Sequence, residues 1–421
     1  MNPKVSFLIP TTGKLELLKI SIASLLSQAN VPRDAIEIVV ANASKSDEVE
    51  GIVASFADQR IHYFDVPDRD PSIGWDFAYK QSHGDYVVWF DDDDCALPNT
   101  LSVILEVISR TRADVVTAQH LYFYDAAHAR EDRTNSMGIT YFDGKEYAID
   151  PKEALRTIFN YTIGNKALHF RLRSGSTYFS RAVCEQAIAR LGFVVLPHMR
   201  TSHSLQTILY PFAKSCVGVS IPTVIVGRLG NSMTQSFRKL QKQQKKSAPQ
   251  FEYSPVSGDL LSNHIAESYL KVAALLPDLY KDVPFNRLEF LARRYGREIY
   301  FSEFSLSKTL ALFRELLEVL EKEPEGPERA DAIDYVRKRV WRSFIWAPFK
   351  ALGVYVFAKD VYQRLWKLFS KKGRNPKLGM GEYRLKLAPY GVNDIQTLSL
   401  RAREIVLEKV GRDIEAFEPR E

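Results

Sequence analysis

The chain has 421 residues, of which 45% are hydrophobic, 12% aromatic and 26% charged, as in ordinary soluble globular proteins. This composition excludes a mostly disordered chain, a collagen-like chain and a small disulfide framework, and the length allows two or three domains. The formal net charge of +6 does not by itself indicate an anionic partner.

Strand-like and helix-like segments alternate in the first part of the chain. In chain order we predict a strand at 5–10, a helix at 15–28, a strand at 36–41, a helix at 47–57, a strand at 60–66, a helix at 72–82 and a strand at 85–90. This alternation predicts parallel strands joined by crossover helices. Ligands of such sheets bind beyond the carboxyl ends of the strands, where TTGK (11–14) and DDDDC (91–95) fall.

Composition divides the rest of the chain. Residues 1–236 are predicted to form the α/β domain, because strand and helix patterns continue beyond residue 100. The segment 237–258 begins with a run rich in Lys and Gln and is predicted to be a linker or loop. Helical periodicity prevails in 259–421, so we predict a mainly helical C-terminal domain there.

The three cysteines are widely spaced and form no CxxC or Cys/His cluster, which argues against zinc sites and disulfides. The N-terminal segment shows no signal-peptide pattern, and the longest apolar stretch is interrupted by Pro348 and Lys350. These features predict a cytoplasmic protein, either free or peripheral on the inner face of the cell membrane.

Four adjacent aspartates, Asp91 to Asp94, directly follow the strand at 85–90. Their carboxylates repel one another, so full ionisation requires a nearby cation. If the strand end stays extended, Asp91 and Asp93 point to one side and Asp92 and Asp94 to the other. Such an oxygen-rich pair suits Mg²⁺ or Mn²⁺. A solvated acidic loop is the alternative, and the position at the end of a buried strand favours the metal site.

Three segments in order, VSFLIPTTGKLELLKISIASLLSQ, IEIVVANAS and GDYVVWFDDDDCALPNTL, resemble family 2 glycosyltransferases with the GT-A fold. The resemblance covers roughly residues 4–230. It implies a Rossmann-like, mostly parallel sheet flanked by helices. It also implies transfer of a sugar from a nucleotide diphosphate sugar, with inversion and a divalent cation, Mg²⁺ or Mn²⁺; we expect UDP as the nucleotide.

The resemblance implies roles for the aspartates. Asp91 and Asp93 match the two acids of the family's DxD motif and are the candidate metal residues. Asp93 would be the metal ligand, and Asp91, with Asp92, would lie near the ribose or diphosphate. The cation would stabilise the negative charge of the departing nucleoside diphosphate.

Two further segments match the family's binding regions. The first nucleotide-contacting loop corresponds to Pro10, Thr11 and Thr12. The segment 174–183, which starts with Ser174 and Gly175, resembles the segment that approaches the acceptor.

The second motif departs from the family pattern. An Asp usually contacts the nucleotide base there, and this chain has Ala41 followed by Asn42. The amide of Asn42 can still hydrogen-bond to a base edge. The alternative is a turn residue after a strand, so the motif leaves the base identity open.

The expected catalytic carboxylate is also missing, because no Asp or Glu occurs between Glu185 and Glu252. His198 and His203 are the bases in that region with a suitable pKa, and His203 is the candidate general base, with His198 in the acceptor region. A structural histidine is the alternative. A non-catalytic nucleotide-sugar-binding or membrane-scaffold protein is therefore the competing functional hypothesis.

The positive charge is concentrated in one segment. Residues 337–377 carry twelve Lys or Arg, one acid and nine aromatics, a net +11, so the other residues sum to −5. Basic residues interleaved with aromatics suit an anionic membrane surface, which agrees with a glycan or lipid-linked acceptor. The alternative is a pair of amphipathic core helices with a solvated basic face. No recognised nucleic-acid-binding module accompanies the segment, so no nucleic-acid partner is predicted.

Overall fold

In this computed structural model, residues 4–419 are described except 45, 69, 99, 129–132, 161–172, 198–200, 231–250, 254–255, 257–259, 284–285, 302–305 and 352–382. The predicted linker therefore lies largely outside the described residues, as does most of the basic aromatic segment 337–377.

The α/β part is built around one large sheet. Its elements are β1 (Val5–Thr11), α1 (Leu15–Leu26), β2 (Ile36–Asn42), α2 (Asp47–Ser55), β3 (Ile61–Asp65), α3 (Pro71–Lys80), β4 (Tyr86–Trp89), β5 (Cys95–Ala96), α4 (Thr100–Thr111), β6 (Val115–Tyr124), β7 (Ser136–Ile139), β8 (Glu146–Ile149), α5 (Pro151–Asn160), β9 (Thr177–Ser180), α6 (Arg181–Leu191), α7 (Thr201–Leu209) and β10 (Cys216–Arg228). Each strand and helix predicted up to residue 90 is present, with ends shifted by a few residues at most.

Strands β1 to β4 form the parallel region in the order β4-β1-β2-β3. The side chains of β1, β2 and β4 are mostly buried on both faces, which is expected of a parallel sheet covered by helices, whereas those of the edge strand β3 are partly exposed. Val39 and Trp89 pack with the α3 side of the sheet, whereas Val40 and Val88 pack with the α1 side. The sheet therefore separates two apolar layers.

The remaining strands make the sheet mixed. Strand β9 is antiparallel to both β4 and β6, so β6 runs parallel to β4. Strand β10 pairs in parallel with β6 over ten register positions. The carboxyl ends of β1, β4, β6 and β10 consequently lie at the same edge of the sheet.

The C-terminal part is not purely helical. Helices α8 (Leu261–Leu275), α9 (Pro277–Tyr280), α10 (Arg287–Glu289), α11 (Gly296–Phe301), α12 (Leu306–Glu321) and α13 (Pro327–Ala351) come first, with a π-helical turn between α10 and α11. The chain then adds β11 (Tyr383–Lys386) and α14 (Ile395–Val410). Strand β11 pairs antiparallel with β7, so the end of the chain completes the front sheet.

The C-terminal part is mainly helical, as predicted for 259–421, and these contacts add that it packs against the α/β part. Leu398, Ile405 and other residues of α14 form one apolar cluster with Cys95 and Leu97 from the α/β part. The helices from α8 to α13 also share a core with the α3 side of the sheet. Apolar faces of the helices and the front sheet are thus buried against each other, which periodicity alone does not reveal.

Two further observations concern the buried tryptophans and the hydrophobicity of the helices. Trp89 is fully buried, and its ring stacks with those of Trp75 and Tyr79 at centroid distances of 6.4 and 6.1 Å, so Trp89 and Trp75 belong to the core. Among the described helices, none is long and apolar enough to cross a lipid bilayer.

Candidate functional site

The four aspartates form a turn at the carboxyl end of β4. The backbone N–H of Asp94 donates to the carbonyl of Asp91 at 3.1 Å, so the chain reverses here instead of continuing as an extended strand. The expected alternation of side chains is therefore wrong. Carboxylate oxygens of Asp91, Asp93 and Asp94 lie within 4.8 Å of one another, whereas Asp92 contacts the β1–α1 loop. We call residues 91–94 the aspartate turn.

Neighbouring elements hold the aspartate turn in place. Ser21 in α1 donates its hydroxyl to the carbonyl of Asp94 at 2.5 Å, and the N–H of Gly227 in β10 donates to Oδ1 of Asp94 at 3.1 Å. In addition, the N–H of Ala96 donates to Ser24 in α1 at 2.9 Å. Two elements far apart in sequence, α1 and β10, thus fix the turn.

The electrostatics of the turn favour a bound cation. Burial, followed by the charge of Asp93, raises the pKa of Asp91 to about 6, against the opposing effect of Arg173. Burial, followed by the charge of Asp91, raises the pKa of Asp94 well above its usual range. Both shifts mean that ionised carboxylates here are costly without additional positive charge.

One carboxylate oxygen of this group is available for a ligand. Oδ2 of Asp94 is buried and has no hydrogen-bond partner in the described part of the chain. A Cβ at Gly175 would lie 2.9 Å from this oxygen, so only glycine lets the backbone approach it so closely. Three carboxylates, one of them unsatisfied, form an all-oxygen donor set of the kind that hard divalent cations prefer.

The first loop contacts the aspartate turn directly. The hydroxyl of Thr11 donates to Oδ2 of Asp92 at 2.7 Å and accepts from the N–H of Gly13 at 3.1 Å. Lys14 Nζ lies 3.0 Å from Oδ1 of Asp92 and 2.9 Å from Oδ2 of Asp93. The negative charges of both partners raise the pKa of Lys14 despite its burial, so the side chain stays an ammonium. The loop is therefore bound to the turn through Asp92 and Asp93.

The other residues of the predicted first loop differ in exposure. Pro10 is partly buried, and its Cβ is 3.7 Å from a Cβ built on Gly74 in α3. Thr12 is exposed beside the buried Thr11. Thr11 is thus the member of this loop that the structure joins to the aspartates.

Arginines and a tyrosine border the turn on the β6 side. Nη2 of Arg173 is 3.9 Å from Oδ2 of Asp91, and the Arg173 guanidinium lies 5.9 Å from the ring centroid of Tyr122. Arg228, at the end of β10, lies 5.1 Å from the same centroid. The Arg173 guanidinium therefore stands next to Asp91, and both arginines lie against Tyr122.

The predicted acceptor segment also reaches the turn. Ser174 and Gly175 lie in a short 3₁₀ turn (Ser174–Ser176) before β9, and both are buried. The hydroxyl of Ser174 has no hydrogen-bond partner among the described residues. The structure thus brings this segment against Asp94.

Asn42 lies at the end of β2, but protein groups occupy its amide. Its Nδ2 donates to Tyr63 at 2.9 Å and to Asp65 at 3.2 Å, and its Oδ1 accepts from the backbone and side chain of Ser44. This geometry matches the turn-residue alternative. A base contact by Asn42 would require these bonds to be exchanged.

The side chains of both histidine candidates lie outside the described part of the structure. His198 lies outside the described residues. His203 falls in the first turn of α7, whose backbone is described there while the side chain is not. Both roles stay predictions.

Similarity to known proteins agrees with this geometry. Residues 6–178 match the sequence profile described as Glycosyl transferase family 2. Residues 6–178 are therefore similar in sequence to family 2 glycosyltransferase domains. The aspartate turn and the β1–α1 loop both lie inside the matched range.

The curated relatives are similar to this chain only in part. The chain is 30% identical over 121 residues to the GalNAc(5)-diNAcBac-PP-undecaprenol beta-1,3-glucosyltransferase of Campylobacter jejuni, an alignment that covers 27% of this chain and 37% of that protein. It is 28% identical over 106 residues to an uncharacterized glycosyltransferase of Rickettsia bellii, covering 25% of this chain and 15% of that protein. The chain thus spans well under half the length of these relatives.

A solved structure supports the fold of this chain. The crystal structure of S. aureus TarS 1-349 in complex with UDP-GlcNAc matches with a TM-score of 0.50 and 16% identity, over 83% of this chain and 92% of that chain. This likeness confirms the GT-A fold with a helical C-terminal region.

Sequence reasoning missed parts of this site. Lys14, Gly227 and Arg228 were assigned no role, although Lys14 stands in the quoted TTGK segment and the other two end an apolar run, Cys216–Arg228, that is typical of a buried strand. Asp94 was placed on the wrong side. The apolar run was a usable signal, whereas the turn at the aspartates was not visible in the sequence.

Proposed function

We propose that the protein transfers a sugar from a nucleotide diphosphate sugar to a glycan or lipid-linked acceptor, with inversion and with Mg²⁺ or Mn²⁺. The observation that carries the proposal is the group of Asp91, Asp93 and Asp94 at the carboxyl edge of a family 2 domain. UDP is our first choice of nucleotide, supported by the UDP-GlcNAc bound to the similar TarS structure. The lipid-linked acceptor is supported by the name of the Campylobacter relative.

The residues of the turn would divide the work. Asp93, Asp91 and Asp94 would hold the cation, which when bound stabilises the charge that develops on the departing diphosphate. Arg173 adds fixed positive charge at the β6 side of the same group. Thr11 would keep the first loop beside the nucleotide through its bond to Asp92.

Nucleotide binding gives the first test. We expect wild-type protein to bind UDP or a UDP-sugar in calorimetry only when Mn²⁺ or Mg²⁺ is present, and Asp93→Asn to lose at least tenfold of this affinity. Asp34→Asn, at an exposed site, is the matched control and should bind as wild type does. If no nucleotide diphosphate sugar binds in a metal-dependent manner, or if Asp93→Asn keeps full activity with EDTA present, the proposal is wrong.

Turnover separates the enzyme from the non-catalytic alternative. Slow, Mn²⁺-dependent release of free sugar and UDP, measured by a coupled UDP assay, is expected of a transferase whose acceptor is absent. Tight binding of the UDP-sugar without any release, even with polyprenyl-diphosphate acceptors added, would favour a non-catalytic binding protein.

The general base has its own test. We propose His203, in the first turn of α7, because no acid occurs between Glu185 and Glu252. His203→Ala should lower kcat and abolish the limb of the pH–rate profile near the ordinary histidine pKa of about 6.5. His198→Ala is the matched control. Unchanged profiles in both variants would eliminate the histidine mechanism.

Membrane association through 337–377 is a separate proposal. Trp341 in α13 is 71% exposed, as expected of an interfacial aromatic residue, and most of the segment lies outside the described residues. In flotation assays we expect binding to vesicles that contain anionic lipid, and release by high salt. Equally weak binding to anionic and neutral vesicles would contradict this.

A further inference from the structure

The ammonium group of Lys14 lies between two carboxylates of the aspartate turn. Its Nζ is 3.0 Å from Oδ1 of Asp92 and 2.9 Å from Oδ2 of Asp93. Asp93 is also one of the three residues whose oxygens can surround a metal ion. Lys14 therefore holds an oxygen of the same carboxylate that a divalent cation would use.

The net charge of the turn and its ion-pair partners is one that a divalent cation can neutralise. Asp91 to Asp94 carry four negative charges when fully ionised, and Lys14 and Arg173 supply two positive charges through their ion pairs. Two negative charges are left over, which matches Mg²⁺ or Mn²⁺. The unsatisfied, buried Oδ2 of Asp94 is on the same group of carboxylates.

The backbone of Lys14 is fixed, whereas its side chain can turn. Gly13, at φ +94°, directs the chain into α1, and the carbonyl of Lys14 accepts the N–H of Leu18 at 2.9 Å. The side chain is 21% exposed and carries its charge on a flexible four-carbon stem. Its ammonium can leave Asp93 without any movement of the backbone.

We propose that Lys14 is an internal counter-ion of the aspartate turn, that a divalent cation displaces it from Asp93, and that the freed ammonium binds the diphosphate of the donor. The first part concerns the metal alone, and the second rests on the proposed transfer from a nucleotide diphosphate sugar. Before metal binding, Lys14 lowers the repulsion between Asp92 and Asp93. Afterwards the same charge serves the donor phosphates.

A purely structural ion pair would behave differently. If Lys14 only holds the first loop to the turn, its removal loosens the carboxylates and weakens metal binding. If Lys14 competes with the metal, its removal strengthens metal binding. The sign of the change in metal affinity therefore distinguishes the two roles.

The test titrates the 421-residue chain with Mn²⁺ in the absence of nucleotide. Electron paramagnetic resonance measures the concentration of free Mn²⁺ and thereby the affinity of the protein for the ion. Lys14→Met should bind Mn²⁺ about tenfold more tightly than wild type, and Lys14→Gln should behave similarly. Lys14→Arg, which keeps the charge, and Lys19→Met, at an exposed site on the same helix, should stay within about threefold of wild type. Circular dichroism melting confirms that each variant is folded.

A second titration, with UDP at saturating Mn²⁺, tests the diphosphate contact. Lys14→Met should bind UDP about tenfold more weakly than wild type and Lys19→Met. Unchanged or weaker Mn²⁺ affinity in both folded neutral variants, Lys14→Met and Lys14→Gln, would overturn the proposal. The proposal would also be overturned if neither wild type nor any variant bound Mn²⁺. The Mn²⁺ titration needs no nucleotide, so its outcome is independent of whether wild type binds and turns over a UDP-sugar.

Discussion

Gly227→Ala tests whether the backbone of β10 shapes the aspartate turn. A Cβ at this position would lie 3.2 Å from the carbonyl carbon and 3.4 Å from the Cβ of Asp93, and within 3.0 Å of the carbonyl oxygen. Because Cβ atoms do not approach backbone that closely, the strand and the turn must separate. Separation stretches the bond from the Gly227 N–H to Asp94 and disperses the three carboxylates.

We expect two effects of different size. Overpacking of this kind costs about 1–3 kcal/mol of folding stability, measured by urea denaturation. Affinity for Mn²⁺ should fall by at least tenfold, because the donor oxygens must keep their spacing to within a few tenths of an ångström.

A matched clash at the opposite edge of the sheet separates these effects. A Cβ at Gly84 would lie 2.5 Å from Oγ and 2.7 Å from the backbone N of Ser6, remote from the aspartates at the carboxyl ends of the strands. Gly84→Ala should lose a similar amount of stability and keep its Mn²⁺ affinity. Wild-type Mn²⁺ affinity in folded Gly227→Ala, or an equal loss in Gly84→Ala, would refute the reasoning.

Three further predictions concern the support of the site. Burial would raise the pKa of Glu37, but hydrogen bonds from Ser6 and His83 lower it to about 2. The ionised Glu37 therefore contributes about 3 kcal/mol of folding stability, which is present above pH 5 and is lost as the pH falls towards 2. Glu37→Gln should flatten the pH dependence of stability in urea denaturation over this window, and an unchanged slope would contradict this. Leu398→Ala, at a fully buried position of α14, should cost about 2–5 kcal/mol, whereas Leu400→Ala on its exposed face should cost almost nothing, as measured by urea denaturation. Asn42→Ala should lose about 1–3 kcal/mol of stability, because its amide bonds to protein groups are lost. Its preference for uridine diphosphate over guanosine diphosphate should change very little. A reversed preference in calorimetry would instead support a contact between Asn42 and the base.

The front half of the fold was predictable from local patterns. Apolar runs of four to seven residues alternate with helical periodicity from β1 to β4, and parallel strands follow because each crossover is a helix. The carboxyl ends of β1 and β4 also meet at one edge, because the two strands are parallel neighbours. The sequence therefore predicts that Thr11 and the four aspartates, Asp91–Asp94, belong to one site.

Long-range pairing was not predictable in the same way. Strand β11 is separated by more than two hundred residues from its partner β7, and α14 is similarly remote from Cys95 and Leu97, which it covers. Their apolar patterns predict that one face of each element is buried, but they do not indicate which other element covers that face. The sequence therefore predicts a mainly helical C-terminal region but not its packing against the front sheet.

The sequence by itself determined the α/β class, the family 2 resemblance and the place of the carboxylates at the end of β4, since these depend on residue type and on neighbours along the chain. Only the tertiary structure decided which oxygens face one another. The turn at Asp91–Asp94 is held by Ser21, Gly227 and the Lys14 ammonium, and these contacts bring Asp94 to Asp91 and Asp93 while Asp92 turns to Thr11. Cation binding depends on distances of a few ångströms between such groups, and those distances are set by packing between elements rather than by order along the chain.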